Sequence, residues 1–416
     1  MSELAFVVIA LLLQEAAPWQ ERLLDTIHPD IEKYTDITFS ADGKLVAYLA
    51  EKDGKQFAVV NGKRGEGFQR VDELQLAPDD KTIVYTAQVG PKWVTIVGSR
   101  REEEFDGLYP AVFSPDGKHV AYAAKLGAEE YLVLDGRKGE PFDAVHVPFF
   151  SPDGGTIAYP AVKGKKSFMM VGTRKGAGFD ATFWPAFSPD SKTVAYGARL
   201  EGKGFVVVGT TVGEPFESVS MPHWNPDGKS VAYVAGQEGR RFVVWGKKKG
   251  EPFDGIGTID FSPDGKSLAY VGILEDKATR RQRHVLVWGD QRGEEYDEIS
   301  GTGYRKNHQP FPLVVFSPDS SRPAYIGLRG TKRHVVLGGQ GRDGFDSVGI
   351  PVFSPDGQRV AHVVQNNGSQ FILVDKQMSA VFDEVGNPVF SPDGKCVGFG
   401  ARKGPELWWK AWILEK

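Results

Sequence analysis

The sequence predicts an all-β protein, a β-propeller of ten four-stranded blades, and three observations carry that prediction. One phrase, "FSPDGKHVAYAAK" at Phe113 to Lys125, recurs with its leading residue at Phe39, Leu76, Phe113, Phe150, Phe187, Trp224, Phe261, Phe316, Phe353 and Phe390. Copies lie 37 residues apart except Phe261 and Phe316, which lie 55 apart, and a fixed period of this size marks a repeat architecture. Each copy also joins a "VAY" stretch to an aromatic or β-branched run such as "FVVVG" (Phe205 to Gly209), with Gly or Pro between, a pattern of short strands rather than helices. Finally, the two chain ends are complementary, so that the ring can close.

Within the copy that starts near Val145, four strands follow in order. Strand A is read as "HVPFFS", B as "GTIAYPA", C as "SFMMVG" and D as "GFDATF". The B and C runs are apolar at consecutive positions, as expected of a sheet covered on both faces. In Ser114-Pro115-Asp116-Gly117, Pro presets the first corner, Asp bonds back to nearby N–H groups and Gly accepts positive φ, so the phrase is a hairpin turn from A to B. One carboxylate per blade, spread around a wide ring, cannot converge on a metal ion.

The last copy supplies A, B and C ("ELWWKAWIL", Glu406 to Leu414) and lacks a D. Eight residues before most of the leading residues stands an aromatic–acid pair such as Phe142-Asp143, Phe253-Asp254 or Phe382-Asp383, and eight before Phe39 stands Ile31-Glu32. The segment Asp30 to Tyr34 is therefore expected to complete the last sheet and remove its open edge. Residues 1–28 are assigned to an apolar segment and linker, and 29–416 to a single propeller domain.

Composition is that of a soluble chain: 416 residues, 41% hydrophobic, 12% aromatic, formal charge −4. That balance gives no electrostatic reason to expect nucleic acid. The lone Cys396 reads as a buried structural thiol. "LAFVVIALLL" (Leu4 to Leu13) is too short to span a bilayer and suits a signal-peptide core. It implies an extracytoplasmic, periplasmic or secreted protein with no membrane span in the mature domain. Glu3, Pro18 and the lack of a preceding Lys or Arg favour the alternative, an N-terminal helix that packs on the domain or on a membrane surface, in a cytoplasmic protein.

The tandem "FSPDGKxVAY" blades resemble the WD-like repeats of TolB-type β-propellers over Pro29 to Leu414. The resemblance implies a mostly extracytoplasmic protein that binds protein partners or serves as an accessory domain. Prolyl oligopeptidase relatives use such propellers to gate a hydrolase domain, but no G-x-S-x-G elbow occurs here. The larger repeat number and the short "GExFD" strand D keep a TolB role from being transferred.

Positions that vary between copies while the frame stays constant are free of the scaffold's demands. The clearest lie four and three residues before the leading residue, near the start of strand A, and include Asp36, Asp72, Glu73, Tyr109, His146 and Trp184. They are expected to ring one channel mouth. The 18 extra residues of the long step divide between the B–C loop, within Leu274 to Arg283, and the D–A connection, within Ile299 to Leu313. Both connections emerge on one face, and loops on a rigid scaffold are where binding residues concentrate. Arg281, Arg283, Tyr304, Arg305 and His308 would make that face basic, suited to an acidic protein segment, a carboxylate or a phosphate.

The reading is a monomeric, non-catalytic scaffold for a protein or polymer partner, with no cofactor and no metal. The competing reading is a lyase or hydrolase acting on a sugar or acidic substrate, with the channel-mouth carboxylates, Tyr109 and His146 as acid, base and positioning groups. The G-x-G-x-x-G at Gly339 to Gly344 falls in a C–D turn with no helix to follow, which argues against a nucleotide site.

Overall fold

"VAY" makes the second strand of every sheet because both its faces are covered: Val46 and Ala47 are fully buried and Tyr48 is 1% exposed. The computed structural model describes residues 19–299 and 314–414, and among them every helix-length segment is a strand or turn. These strands form ten antiparallel sheets, each with the order A-B-C-D. In blade 4, A comprises Ala144–Val145 and Phe149–Phe150, B is Ile157–Lys163, C is Lys166–Val171 and D is Arg174–Phe179. Tight two-residue turns join B to C, in register from Ala158 opposite Val171 to Lys163 opposite Lys166.

Strand D ends earlier than expected. "GFDATF" is divided, with Phe179 closing D and Ala181–Phe187 forming strand A of blade 5. The acid between them causes the division. Asp180 donates its N–H to the carbonyl of Arg199 (2.9 Å) and accepts the N–H of Glu201 on its carboxylate (2.9 Å), which commits the chain to the next sheet.

The "SPDG" turn behaves as read. Ser114 Oγ donates to Asp116 Oδ1 (2.6 Å) and accepts the His119 N–H (3.0 Å). Gly117 sits at φ 73°, and a Cβ there would lie 2.8 Å from that of Asp79 in the preceding turn, so glycine is required twice over. Similar turn-to-turn contacts, such as Ala41 N–H to Asp80 (3.1 Å) and Asp153 N–H to Ser191 Oγ (3.1 Å), link successive blades where they converge on the axis.

No single core exists. The apolar interior divides into layers at the blade junctions; one joins Phe142 of blade 3 to Ile157 and Tyr159 of blade 4, and another joins Leu407 of blade 10 to Val46 and Tyr48 of blade 1. A strand-D aromatic meets the next "VAY" tyrosine edge to face, as in Phe105–Tyr122 at 6.4 Å, an arrangement worth about 0.5–1.5 kcal/mol beyond its area. Cys396 is buried, as read, and burial raises its thiol pKa.

The ring closes with an N-terminal strand, but not the segment the alignment pointed to. Trp19–Thr26 pairs with Glu406–Ile413, from Trp19 opposite Trp412 to Thr26 opposite Glu406, and Glu21 forms an ion pair with Lys410. Lys33–Phe39 belongs instead to strand A of blade 1, with Tyr34 opposite Ala50. The alignment located the turn correctly and the strand incorrectly. Glu32 accepts the Asp53 N–H (3.0 Å), the task of Asp180 in blade 5, while Asp30 is held by Lys52 and Arg64. Residues 1–18, with the apolar decamer, lie outside the described residues.

Candidate functional site

Strand A carries one residue more than strand B can pair. In blade 2 the register slips between Asp72, opposite Thr86, and Gln75, opposite Val84; in blade 3 strand A is split between Leu108, opposite Ala124, and Val112, opposite Ala121. This is a β-bulge, a device that re-aims side chains where pairing lapses. The variable positions therefore lie at a bulge within strand A rather than at its start. Asp36, Glu73 and Trp184 occupy the same step in three blades with φ of 59°, 63° and 52°. Holding non-glycine residues in this region costs on the order of 1 kcal/mol each.

Asp36, Glu73, Tyr109, His146 and Trp184 are exposed there, and Trp184 is 48% exposed with its ring stacked edge-on against Phe183 at 4.7 Å. Asp72 is half-buried and paired with Arg70 (2.7 Å). Tyr109 donates its hydroxyl to Glu130 (3.3 Å), whose second oxygen accepts the Val145 N–H of the next blade (2.9 Å).

The two insertions are both found near this region. The first is the B–C loop between Leu268–Glu275 and Gln282–Trp288, as expected. Asp276 organises it by accepting the N–H groups of Ala278 (2.8 Å) and Thr279 (3.2 Å). The second does not lengthen the D–A connection. It interrupts strand A of blade 8 at the bulge, because Glu298–Ile299 and Val314–Phe316 both pair with the same strand B, Pro323–Arg329. A bulge already breaks the hydrogen-bond ladder, so extra residues enter there without undoing a pair. Tyr304, Arg305 and His308 fall on this insertion, outside the described residues.

The basic character is smaller than the sequence suggested. Arg281 and Arg283 both reach Asp297 (3.2 and 2.8 Å), and Arg280 pairs with Glu275 (2.8 Å). Asp297 also accepts the Gly330 N–H (2.8 Å), and this bond, with the two arginines, holds its carboxyl below the usual range. The two arginines are thus partly engaged in the frame. The same latch recurs elsewhere: Asp106 accepts Gly127 N–H and Asp143 accepts Gly164 N–H, each at 2.7 Å. The "FD" acids on this face are structural.

Two groups escaped notice in the sequence. His223 and Asp260 stand immediately before the leading residue in blades 6 and 7, where other copies carry Val112, Ala186 or Val352. Each keeps some solvent contact while surrounded by protein. Burial pushes the His223 imidazole down to about 4 and the Asp260 carboxyl up to about 7, the latter against an N–H bond from Val314. A titratable residue at a position that the other copies fill with Val, Phe, Ala, Thr or Gln was the available signal. Among the described residues no three His, Cys, Asp or Glu side chains are placed to hold a metal ion, and no helix is long and apolar enough to cross a membrane.

No protein-family profile matches the chain, and no curated protein does. Solved structures similar to it include TolB from Acinetobacter baumannii (16% identity, TM-score 0.28), where the likeness spans 59% of this chain and 61% of that one. An oligogalacturonate lyase in complex with manganese is 13% identical (TM-score 0.34; 78% of this chain, 92% of that one). The dihydro-heme d1 dehydrogenase NirN is also 13% identical (TM-score 0.40; 87% and 77%).

Proposed function

We propose that the protein is a non-catalytic scaffold that holds a protein or polymer partner at the channel mouth on the insertion-bearing face, and that it works outside the cytoplasm. The observation that carries this reading is the use of one structural device. The bulge of strand A displays Asp36, Glu73, Tyr109, His146 and Trp184, and the long insertion of blade 8 leaves the wall at the same bulge. Left-handed backbone at exposed positions that vary between copies, as at Asp36, Glu73 and Trp184, accords with a binding site held by a stable frame. Export rests on the apolar segment Leu4 to Leu13.

Site-specific photo-crosslinking in cells tests it. A photoreactive phenylalanine at Tyr109, His146 or Trp184 should give adducts of one common mass, and the same group at Met378, exposed on the opposite face, should give none. Equal adducts from Met378 would move the site elsewhere.

A second reading, a hydrolase or lyase acting on a sugar or acidic substrate, is favoured by Asp260 and His223. At pH 7 the Asp260 carboxyl is close to half protonated and the His223 imidazole is neutral, states that general acid and base catalysis can use. Turnover of any glycan or peptide substrate that is lost in both Asp260→Asn and His223→Gln would establish it.

A further inference from the structure

The junction between blades 8 and 9 departs from the commonest pattern. Seven junctions are sealed by an edge-to-face ring pair between strand D and the next "VAY", from Phe105–Tyr122 at 6.4 Å to Phe382–Phe399 at 5.9 Å. In blade 9 the tyrosine is replaced by His362. Phe345, which should face it, packs instead on Phe371 at 6.3 Å. A cavity of about 550 Å³ opens at this junction, with His362, Val335, Phe345 and Leu373 in its lining and the charged side chains of Arg342, Asp343, Arg359 and Asp375 beside them, a size that suits a small organic ligand.

His362 is 1% exposed, and its Nδ1 is buried with no hydrogen-bond partner. Leaving such a group unsatisfied costs about 1–3 kcal/mol, so the position has a use for a polar guest. At the rim Arg342 lies 3.6 Å from Asp375, a loose pair, and Lys376 from the C–D turn also lines the opening. Burial and the Arg342 charge keep the imidazole neutral down to about pH 4. Its ring can therefore meet an anion held by Arg342 without itself carrying charge.

The geometry points to a binding site for a small carboxylate with an apolar body, its aryl or short alkyl part against Val335, Phe345 and Leu373, and its carboxylate on Arg342 beside His362. The cavity opens by the C–D turn of blade 9, on the face opposite the B–C hairpins. The assignment is therefore independent of the channel-mouth reading. Carboxylate is favoured over inorganic phosphate because Val335, Phe345 and Leu373 give an apolar body a surface to pack on, and a planar carboxylate matches the guanidinium fork.

Titration calorimetry and saturation-transfer NMR on the full chain test it with phenylacetate and hexanoate, 2-phenylethanol as the neutral isostere, and phosphate as charge alone. Phenylacetate should bind saturably. Arg342→Gln should weaken it at least about tenfold. His362→Tyr, which restores the ring used by other blades, should weaken it at least about tenfold while the protein stays folded, and Leu373→Phe intrudes on the same space should that variant misfold. Absence of binding by either carboxylate up to about 10 mM (a free energy no better than about −2.7 kcal/mol), or undiminished binding in both filled variants, would overturn the proposal. Binding of 2-phenylethanol as tight as that of phenylacetate would overturn its anionic half.

Discussion

Gly400 in the last blade lies flat against the ring of Phe39 in the first, so closely that a Cβ there would come within 2.3 Å of the Phe39 Cδ2 atom. This contact crosses the seam where the chain's two ends meet. Gly400→Val should wedge the seam open and cost about 2–4 kcal/mol, the range for overpacking joined to a displaced core ring. A lowered midpoint in chemical unfolding checks it; an unchanged midpoint would mean that the seam yields at no cost.

Removing residues 1–26 tests closure more directly. The truncated chain leaves Glu406–Ile413, with Trp409 and Trp412, as an unpaired edge. Such edges recruit other chains. Light scattering should show oligomers that vanish when a peptide spanning Trp19–Thr26 is added back.

Ser114→Ala removes a fully buried hydroxyl that serves two partners, Asp116 and the His119 N–H. The part-buried His119 N–H then loses its acceptor, and the loss should be about 0.5–1.5 kcal/mol. The equivalent change at Ser188 should cost a similar amount, because it makes the same two bonds. Thermal unfolding of both variants measures this; unequal losses would show that the repeats are not energetically equivalent.

Asp260 makes stability depend on pH in a predictable direction. Its carboxyl is easier to protonate folded than unfolded, about 7 against an ordinary 3.8. The stability tied to its protonated form is complete below the unfolded value and is lost as pH rises through about 7. Asp260→Asn should abolish this loss, so the variant should gain about 2–3 kcal/mol on wild type between pH 5 and pH 8. Denaturant midpoints at the two pH values measure the gain. No change in the difference would show that the carboxyl is ionised throughout.

Trp184 separates binding from stability. Trp184→Asn places a residue tolerant of the left-handed conformation at φ 52° while giving up the ring contact with Phe183. The two effects oppose each other, so the unfolding midpoint should shift by less than about 1 kcal/mol. Partner adducts formed at Tyr109 should nevertheless fall sharply in this background. Full retention of the adducts would remove Trp184 from the site.

The period of the repeat, the strand character of each copy, the turn at Ser114 to Gly117 and the ten-blade count were legible from residue order, because they depend on local backbone preference and on which faces are apolar. The B–C insertion at 276–281 was legible for the same reason. Other features needed the third dimension. A bulge is a mismatch between two strands, so no single strand announces that Trp184 sits at one. Asp297 looks like any acid of the "FD" series until the fold brings Arg281 and Arg283 to it. The closing strand Trp19–Thr26 shares no phrase with the other D strands, and only its pairing with Glu406–Ile413 identifies it. His362 reads as one polar residue in a "VAY" stretch; the cavity beside it lies between two blades, because empty space is a property of packing and not of the chain.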